Sequence, residues 1–402
     1  MLYLGIDQHH KQLTVSVRDD GGNLVLRRQV STRPQKTRGF LDELKEQAGV
    51  DGFMAILEVC GFNDWLIALL REVGCREIVL IHPGKRSKRK TDRRDASQLS
   101  ELLWLNSKRL QNGRKPKGLR RVVIPTAEEG ENRQLTAVRQ RVGQQRTRTI
   151  NKIKNILRRH NLTWEQPTKT FQTKKVRAWL QRLSLPEIDR LEMDQLLEQW
   201  DLWERQLAQL EERIEERFRH NETAQQLKSV PGISAYSGLA IASRIGSIKR
   251  FQGPRSLANY FGLTPGCHNS GEVTDRLGSI TKEGSGIVRF LLGQLVLHVL
   301  KKDAWMRQWY RCIRRRRGSK IARVAVMRRL ITIFWHMLEH NESYCLGGPP
   351  RLRLRTARRK KGSSQESPRP LVHKGRSHGG SLTEGEKQDS SIEKRSGSHR
   401  SE

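Results

Sequence analysis

The first eighty residues restrict the fold more than any other stretch. Residues 3–6 form a short apolar strand that ends at Asp7. Leu13–Val17 alternates with the period of two that turns one face to a core, Asp20-Gly21-Gly22 is a hairpin turn, and Leu24–Val30 returns as a third strand. Pro34 to Gln47 has helical spacing through Phe40, Leu41 and Leu44. Phe53–Val59 is an apolar run broken only by Glu58, as expected of a strand covered on both faces. Asn63–Val73 is helical, Glu77–Ile81 is another apolar strand stopped by His82-Pro83-Gly84, and a further helix opens near Thr91.

Three antiparallel strands followed by alternating helices and strands is the order of the ribonuclease H-like α/β fold, the class expected for residues 1–125. In that order Asp7 and Glu58 end neighbouring strands. Asp92 and Asp95 sit in the run Lys-Arg-Lys-Thr-Asp-Arg-Arg-Asp-Ala-Ser-Gln-Leu at 88–99. Their spacing puts both on one helix face, which continues through Leu99 and Leu102, so the acids point at the domain. Inward carboxylates repel and need a counter-charge, and Mg²⁺ or Mn²⁺ suits oxygen ligands. Each acid has a plainer explanation: a helix cap and a first-turn acid for Asp92 and Asp95, a solvent-reaching strand end for Glu58, a turn acid before His9-His10 for Asp7. The conjunction of all four points to a metal-dependent site, because a glutamate in an apolar run is costly to bury unpaired.

The charge balance selects the partner. Lys and Arg number 77 against 42 acids, a net +35, which suits nucleic acid above all; a membrane surface is the weaker alternative. Gly286–Leu300, the most apolar run, contains Arg289 and His298 and is too short to span a bilayer. The N-terminus lacks the charged start and apolar core of a signal peptide. Five scattered cysteines read as reduced thiols. A cytoplasmic, nucleoid-associated protein is expected.

Residues 126–222 read as a helical middle. From Thr126 to Trp164 a broken apolar stripe is surrounded by Arg139, Arg141, Arg146, Arg148, Lys152, Lys154, Arg158 and Arg159, with acids nearly absent between 134 and 163. That predicts a phosphate-binding face. Met193, Leu196, Trp200, Trp203, Leu207, Leu210 and Ile214 alternate spacings of three and four, a heptad seam. A coiled-coil dimer is the favoured partner for it, an intramolecular helical hairpin the alternative. Residues 223–345 read as a mainly α-helical C-terminal domain. Pro231-Gly232 makes a tight turn and Ser234 caps the next helix, like a helix-hairpin-helix whose turn amides hold a DNA phosphate at Gly232. Phe251 to Phe261 is a compact helix, Leu263–Glu272 a loop, and helices around 287–300 and 321–338 make a second core. The basic stretch Arg311–Arg317 lies between them, with Arg314 and Arg315 as candidate nucleic-acid contacts. Residues 346–402, rich in Gly, Ser, Arg, Lys and His, read as a disordered basic tail that adds nonspecific affinity.

Gly5-Ile6-Asp7, Leu57-Glu58, Lys90-Thr91-Asp92-Arg93-Arg94-Asp95-Ala96, Val230-Pro-Gly-Ile233, Leu263-Thr-Pro and Ser270-Gly271 follow one another in an order that resembles the DEDD-type insertion-sequence transposases of the IS110 family. The resemblance covers roughly residues 1–345. It implies an N-terminal domain similar to the RuvC Holliday-junction resolvase, a coiled coil and a C-terminal transposase domain. It implies DNA recombination between an element end and a target, directed by a structured bridge RNA, and a serine that joins the four acids. The matching residue is Ser270 in His268-Asn269-Ser270-Gly271; Asn269 stands where a second serine might be expected, so the assignment rests on the Ser-Gly step.

The acids with Mg²⁺ would polarise a phosphodiester, and a serine so activated could attack it. A phosphoserine link would conserve the phosphodiester energy for rejoining. Such a site combines two modules, and the heptad seam suggests assembly in trans within a homo-oligomer, a dimer or tetramer. Two other classes remain open: a metal-dependent structure-specific nuclease using water, and a non-catalytic nucleic-acid-binding protein.

Overall fold

The computed structural model describes residues 1–82, 92–267 and 277–346, with the backbone alone at 92–93, 267 and 277. The N-terminal part contains β1 (Leu2–Gln8), β2 (Gln12–Arg18), β3 (Leu24–Ser31), α1 (Pro34–Ala48), β4 (Phe53–Glu58), α2 (Asp64–Val73), β5 (Glu77–Ile81), α3 (Asp92–Gln111) and β6 (Arg121–Val122). The six strands lie in the order β3-β2-β1-β4-β5-β6. β1, β2 and β3 pair antiparallel, β4 runs parallel to β1 and to β5, and β6 adds an antiparallel edge. This mixed sheet fits the expected ribonuclease H-like class. Only β6 goes unannounced in the sequence, since two residues carry no periodicity.

The alternation of the strands gives the sheet two dry faces. Leu4, Ile6, Leu13, Val15, Ala55 and Leu57 pack under α1 and α2, against Phe40, Leu41, Leu66 and Leu70. Tyr3, Met54, Ile56, Val79 and Ile81 pack under α3, against Leu99 and Leu103. β4 is central and buried on both faces until Glu58.

The remainder is mostly helical: α4 (Ala127–Arg159), α5 (Lys174–Arg182), α6 (Glu187–Arg219), α7 (Glu222–Leu227), α8 (Ala235–Ile245), α9 (Pro254–Tyr260), the hairpin β7 (Pro265–Cys267) with β8 (Leu277–Ile280), α10 (Gly286–Lys302) and α11 (Ala304–His340). Thr126 and Glu129 close a capping box at the start of α4. α7 to α11 enclose a second core around Leu239, Ile241, Phe261, Leu292 and Phe334. Three expectations need correction. Leu263–Glu272 is not wholly loop, because β7 starts within it. The Arg311–Arg317 run, placed between the helices expected at 287–300 and 321–338, belongs to α11 itself, as suits arginine's good helix propensity; the helix bends at Gly318, which has φ 80° and ψ 167°.

The third correction concerns the heptad seam. α4 and α6 lie alongside each other, and α4's own stripe of Ile150, Ile153, Ile156 and Leu157 meets Met193, Leu196, Leu197 and Trp200. Phe171 stacks on Trp200 with ring centroids 5.8 Å apart. Trp203 donates its indole N–H to Thr149 Oγ1 at 3.2 Å, and Leu207 and Ile214 are buried as well. The seam is therefore covered within the chain. Heptad spacing specifies that a partner helix exists, not which chain supplies it. Trp200→Ala should lower stability by about 3–5 kcal/mol. Thermal melts of that variant and of the wild type should each be independent of protein concentration; a dimer seam would make both rise with it.

Candidate active site

The site begins with a contact that only glycine permits. On β1, Tyr3, Gly5 and Asp7 face α3, and a Cβ at Gly5 would overlap the Ala96 carbonyl oxygen and the Ser100 amide nitrogen. α3 therefore crosses β1 at backbone contact, with Ala96 fully buried beneath it. Ser100 Oγ lies 3.1 Å from Ser16 Oγ in the same dry layer. This crossing fixes the first turn of α3, where Asp92 and Asp95 lie, over the ends of the central strands. On β4, Met54, Ile56 and Glu58 face the same way. Ile6 pairs with Leu57, so Asp7 and Glu58, one residue further on, stand abreast on that face.

Two polar residues that the sequence did not single out hold the strand ends together. Asn63 is buried and donates to Gln8 Oε1 (2.9 Å) and to the Glu58 carbonyl (3.1 Å), while Gln8 Nε2 donates to the Phe62 carbonyl at 3.0 Å. The amide network ties the end of β1 to the end of β4, next to both acids. His9 Nε2 sits 3.1 Å from Asp7 Oδ2. A Gln and an Asn fifty-five residues apart carry no pattern that would reveal their pairing in advance.

Glu58 and Asp95 line a cavity of about 790 Å³. Its other side comes from the helical part of the chain: Arg133 on α4, Arg250, Tyr260 and Glu283. Arg120 bridges the two parts through a 2.9 Å ion pair to Glu283, whose carboxyl that hydrogen bond holds below the usual carboxylate range. Among the described residues no three Asp, Glu, His or Cys side chains gather as a metal-binding group; the side chain of Asp92 lies outside them. So does Ser270, which falls between the two strands of the β7–β8 hairpin.

A DEDD IS110-type transposase model matches residues 4–162, and a model of the transposase IS116/IS110/IS902 family matches residues 224–311. Together they take in more than half of the chain. The transposase for insertion sequence element IS1111A of Coxiella burnetii is 28% identical over 264 residues, 64% of this chain and 69% of that protein. A probable family 20 transposase of Pseudomonas aeruginosa is 25% identical over 348 residues, 85% and 98% of the two chains. The putative transposase y4pF/y4sB of Sinorhizobium fredii is 25% identical over 304 residues, 72% and 73%. The chain belongs to the IS110 family of DEDD transposases. The first match encloses all four acids of this transposase, the second encloses Gly232 and Ser270, and Arg314 and Arg315 lie just beyond it.

The basic residues of the transposase divide into two sets. Arg139 pairs with Glu211 on α6 at 2.7 Å and lies over the Tyr236 ring at 4.4 Å. Arg146 pairs with Glu204 at 3.4 Å. These two are engaged where α4 lies against α6, whose glutamates stand opposite them. Arg148, Lys152 and Arg158 are exposed, the first two along a groove with Asn155, Arg159 and Glu192. Gly232 is exposed in its turn with φ 92°, yet its Cβ would fall 2.5 Å from His298 Cβ, so close approach of α10 already accounts for glycine there. Arg314 and Arg315 are exposed on α11. Among the described residues no helix is long and apolar enough to cross a membrane.

Two outcomes are expected. Gly5→Ala should force α3 off β1, costing about 1–3 kcal/mol or more and lowering the melting temperature, whereas Gly39→Ala, with open space around it in α1, should be neutral or slightly stabilising. In DNA binding, Arg148→Gln with Lys152→Gln should flatten the slope of log K against log salt by roughly 0.9 per lost phosphate contact. Arg139→Gln with Arg146→Gln should leave that slope unchanged.

Proposed function

We propose that this transposase cuts and rejoins DNA strands at a carboxylate site made by Asp7, Glu58, Asp92 and Asp95, with Ser270 as the attacking hydroxyl. The observation that carries the reading is the placement of Asp7 and Glu58 abreast beneath the first turn of α3. In this reading residues 1–125 are the catalytic domain, 126–222 the helical middle and 223–345 the domain that brings the serine.

The donor set is made of carboxylate oxygens throughout, which fits Mg²⁺ or Mn²⁺. Held by these four residues, such an ion supplies Lewis-acid polarisation of a phosphodiester and stabilisation of a leaving 3′-oxygen. The chain's own groups do the rest. The Gln8–Asn63 network fixes the strand ends, and His9 orients Asp7. Ser270 Oγ forms a bond to phosphorus as the bond from phosphorus to the 3′-oxygen breaks, and the serine proton passes to that oxygen. The phosphoserine link retains the energy of the phosphodiester, so a second 3′-hydroxyl can displace the serine without ATP. Joining an element end to a target requires two DNA partners cut together, for which a homo-oligomer, a dimer or tetramer, that assembles on the DNA is the natural vehicle. The structured guide RNA rests on the family resemblance, and the exposed Arg148, Lys152, Arg158, Arg314 and Arg315 are the contacts available to DNA or RNA.

Asp95→Asn should abolish cleavage of element-end DNA while binding persists; normal cutting would remove Asp95 from the site. Ser270→Ala should form no denaturation-resistant protein–DNA adduct. Wild-type cutting without any adduct would make water the nucleophile. Mixing the two variants reads the assembly: cleavage returns only where one chain's acids work with another chain's serine.

A further inference from the structure

The cavity beside the acids has a second wall whose charge the cutting site does not require for its own stability. Four arginines line it, and two of them are committed to carboxylates: Arg120 to Glu283 and Arg121 to Glu77, each at 2.9 Å. Arg133 donates its Nε to the Ser243 carbonyl at 2.8 Å, and its one ion pair among the described residues is a 3.9 Å contact with Glu129; Arg250 has no ion pair among the described residues. Arg250 is nevertheless held firmly. Its Nε donates to the Ile245 carbonyl at 2.8 Å and its Nη2 to the Arg244 carbonyl at 3.0 Å. Its guanidinium carbon lies 4.4 Å and 4.5 Å from the ring centroids of Phe251 and Tyr260. Among the described residues Nη1 makes no hydrogen bond. Such a group is oriented in advance and still has a donor to offer.

Behind it stands a third cation. Arg244 is 7% exposed and donates to Thr136 Oγ1 (2.9 Å) and to the carbonyls of Ala240 (2.9 Å) and Arg133 (3.2 Å), with no carboxylate partner among the described residues. Burial, with the charge of Arg133 adding to it, pulls its pKa down to about 10, so it still carries its proton at neutral pH. A guanidinium buried without a counter-ion is costly, and its field reaches the cavity that Arg133 and Arg250 line. The facing wall carries Glu58 and Asp95. A DNA strand approaching those carboxylates is repelled by them, and the arginine wall supplies the compensating attraction. The cavity lies within the range of small-molecule pockets, roughly 300–1,000 Å³, a size that suits a segment of one strand.

We propose that Arg250, with Arg133 on the same wall, binds a backbone phosphate of the single DNA strand entering this cavity and holds that strand against the carboxylates. The proposal rests on the carboxylates being the cutting site. A guanidinium suits the task because its planar fork meets two phosphate oxygens at once, which an ammonium cannot reproduce.

The test uses the full chain, an end-labelled single-stranded DNA oligonucleotide for binding and element-end DNA for single-turnover cleavage. Arg250→Gln should lower the slope of log K against log salt by about 0.7, the loss of one single-strand phosphate contact, and should slow cleavage. Arg250→Lys should restore the slope but not the rate; full recovery of the rate would overturn an orienting role. If Arg250→Gln does not fold, as its melting curve would reveal, Arg133→Gln on the half-exposed face of α4 carries the same expectation. A wild-type slope in both glutamine variants would overturn the proposal. Asp95→Asn, measured alongside, should keep the slope and lose cleavage. If it cuts normally, the carboxylate reading fails, while the slopes still report whether the arginines touch phosphate.

Discussion

The backbone contact between α3 and β1 at Gly5 governs the face of the sheet that carries Asp7 and Glu58. An α-helix that packs on a sheet through ordinary side chains stands about 10 Å away, and its first-turn acids would then hang above the strand ends. Removing the Cβ at Gly5 lets Ala96 and Ser100 settle onto the strand, so the start of α3 lies on the same face of the sheet as Asp7 and Glu58. Ser16 and Ser100 keep that layer polar enough to be hydrogen-bonded yet dry, and the Gln8–Asn63 amides brace its outer end. The frame beneath Asp7 and Glu58 is close-packed, with β4 buried on both faces up to Glu58.

The distribution of charge follows the same separation of structural and functional tasks. A net +35 would drive the two long helices apart if all of α4's arginines faced solvent or each other. α6 supplies glutamates where α4 turns toward it, and Arg139 and Arg146 are spent there, with Arg159 bonded to Asp189 and Glu192 as well. The cations left over lie on the outer side of α4 and on α11, where no ion pair among the described residues neutralises them. Counting basic residues along a helix therefore overstates its phosphate-binding capacity, since half of a helix's circumference belongs to its neighbour.

Much of this was legible in the residues themselves. The strand order follows from alternation and turn chemistry, since Leu13–Val17, Asp20-Gly21-Gly22 and Leu24–Val30 admit little but a hairpin, and the apolar run at 53–58 can only be central. Asp7, Glu58, Asp92 and Asp95 stand out because each breaks an apolar or basic pattern at an element end. What could not be read was pairing at a distance. Periodicity located the seam on α6 but could not name α4 as its partner. The turn at Gly232 looked like an anion site, while its glycine is explained by His298, sixty-six residues away. A lone arginine before a phenylalanine, such as Arg250, has no local signature; its meaning depends on which cavity it lines.

The two walls of that cavity also explain how the parts of the molecule meet. The Arg120–Glu283 pair is the visible bridge, but both side chains are about half exposed, and such pairs contribute roughly 0–1 kcal/mol. The firmer attachment is internal to the helical part: Arg244 reaches from α8 to Thr136 on α4, and Arg133 reaches back from α4 to the Ser243 carbonyl at 2.8 Å. α4 thus carries the arginine wall as one piece with α8, and the N-terminal sheet faces it across a cleft that the Arg120–Glu283 ion pair bridges at the surface. A phosphate entering the cleft competes for Arg120 at little cost, because breaking that pair leaves both partners in water. The acid wall and the arginine wall therefore each belong to a separately packed core, and what joins them across the cavity at the surface is an exposed ion pair.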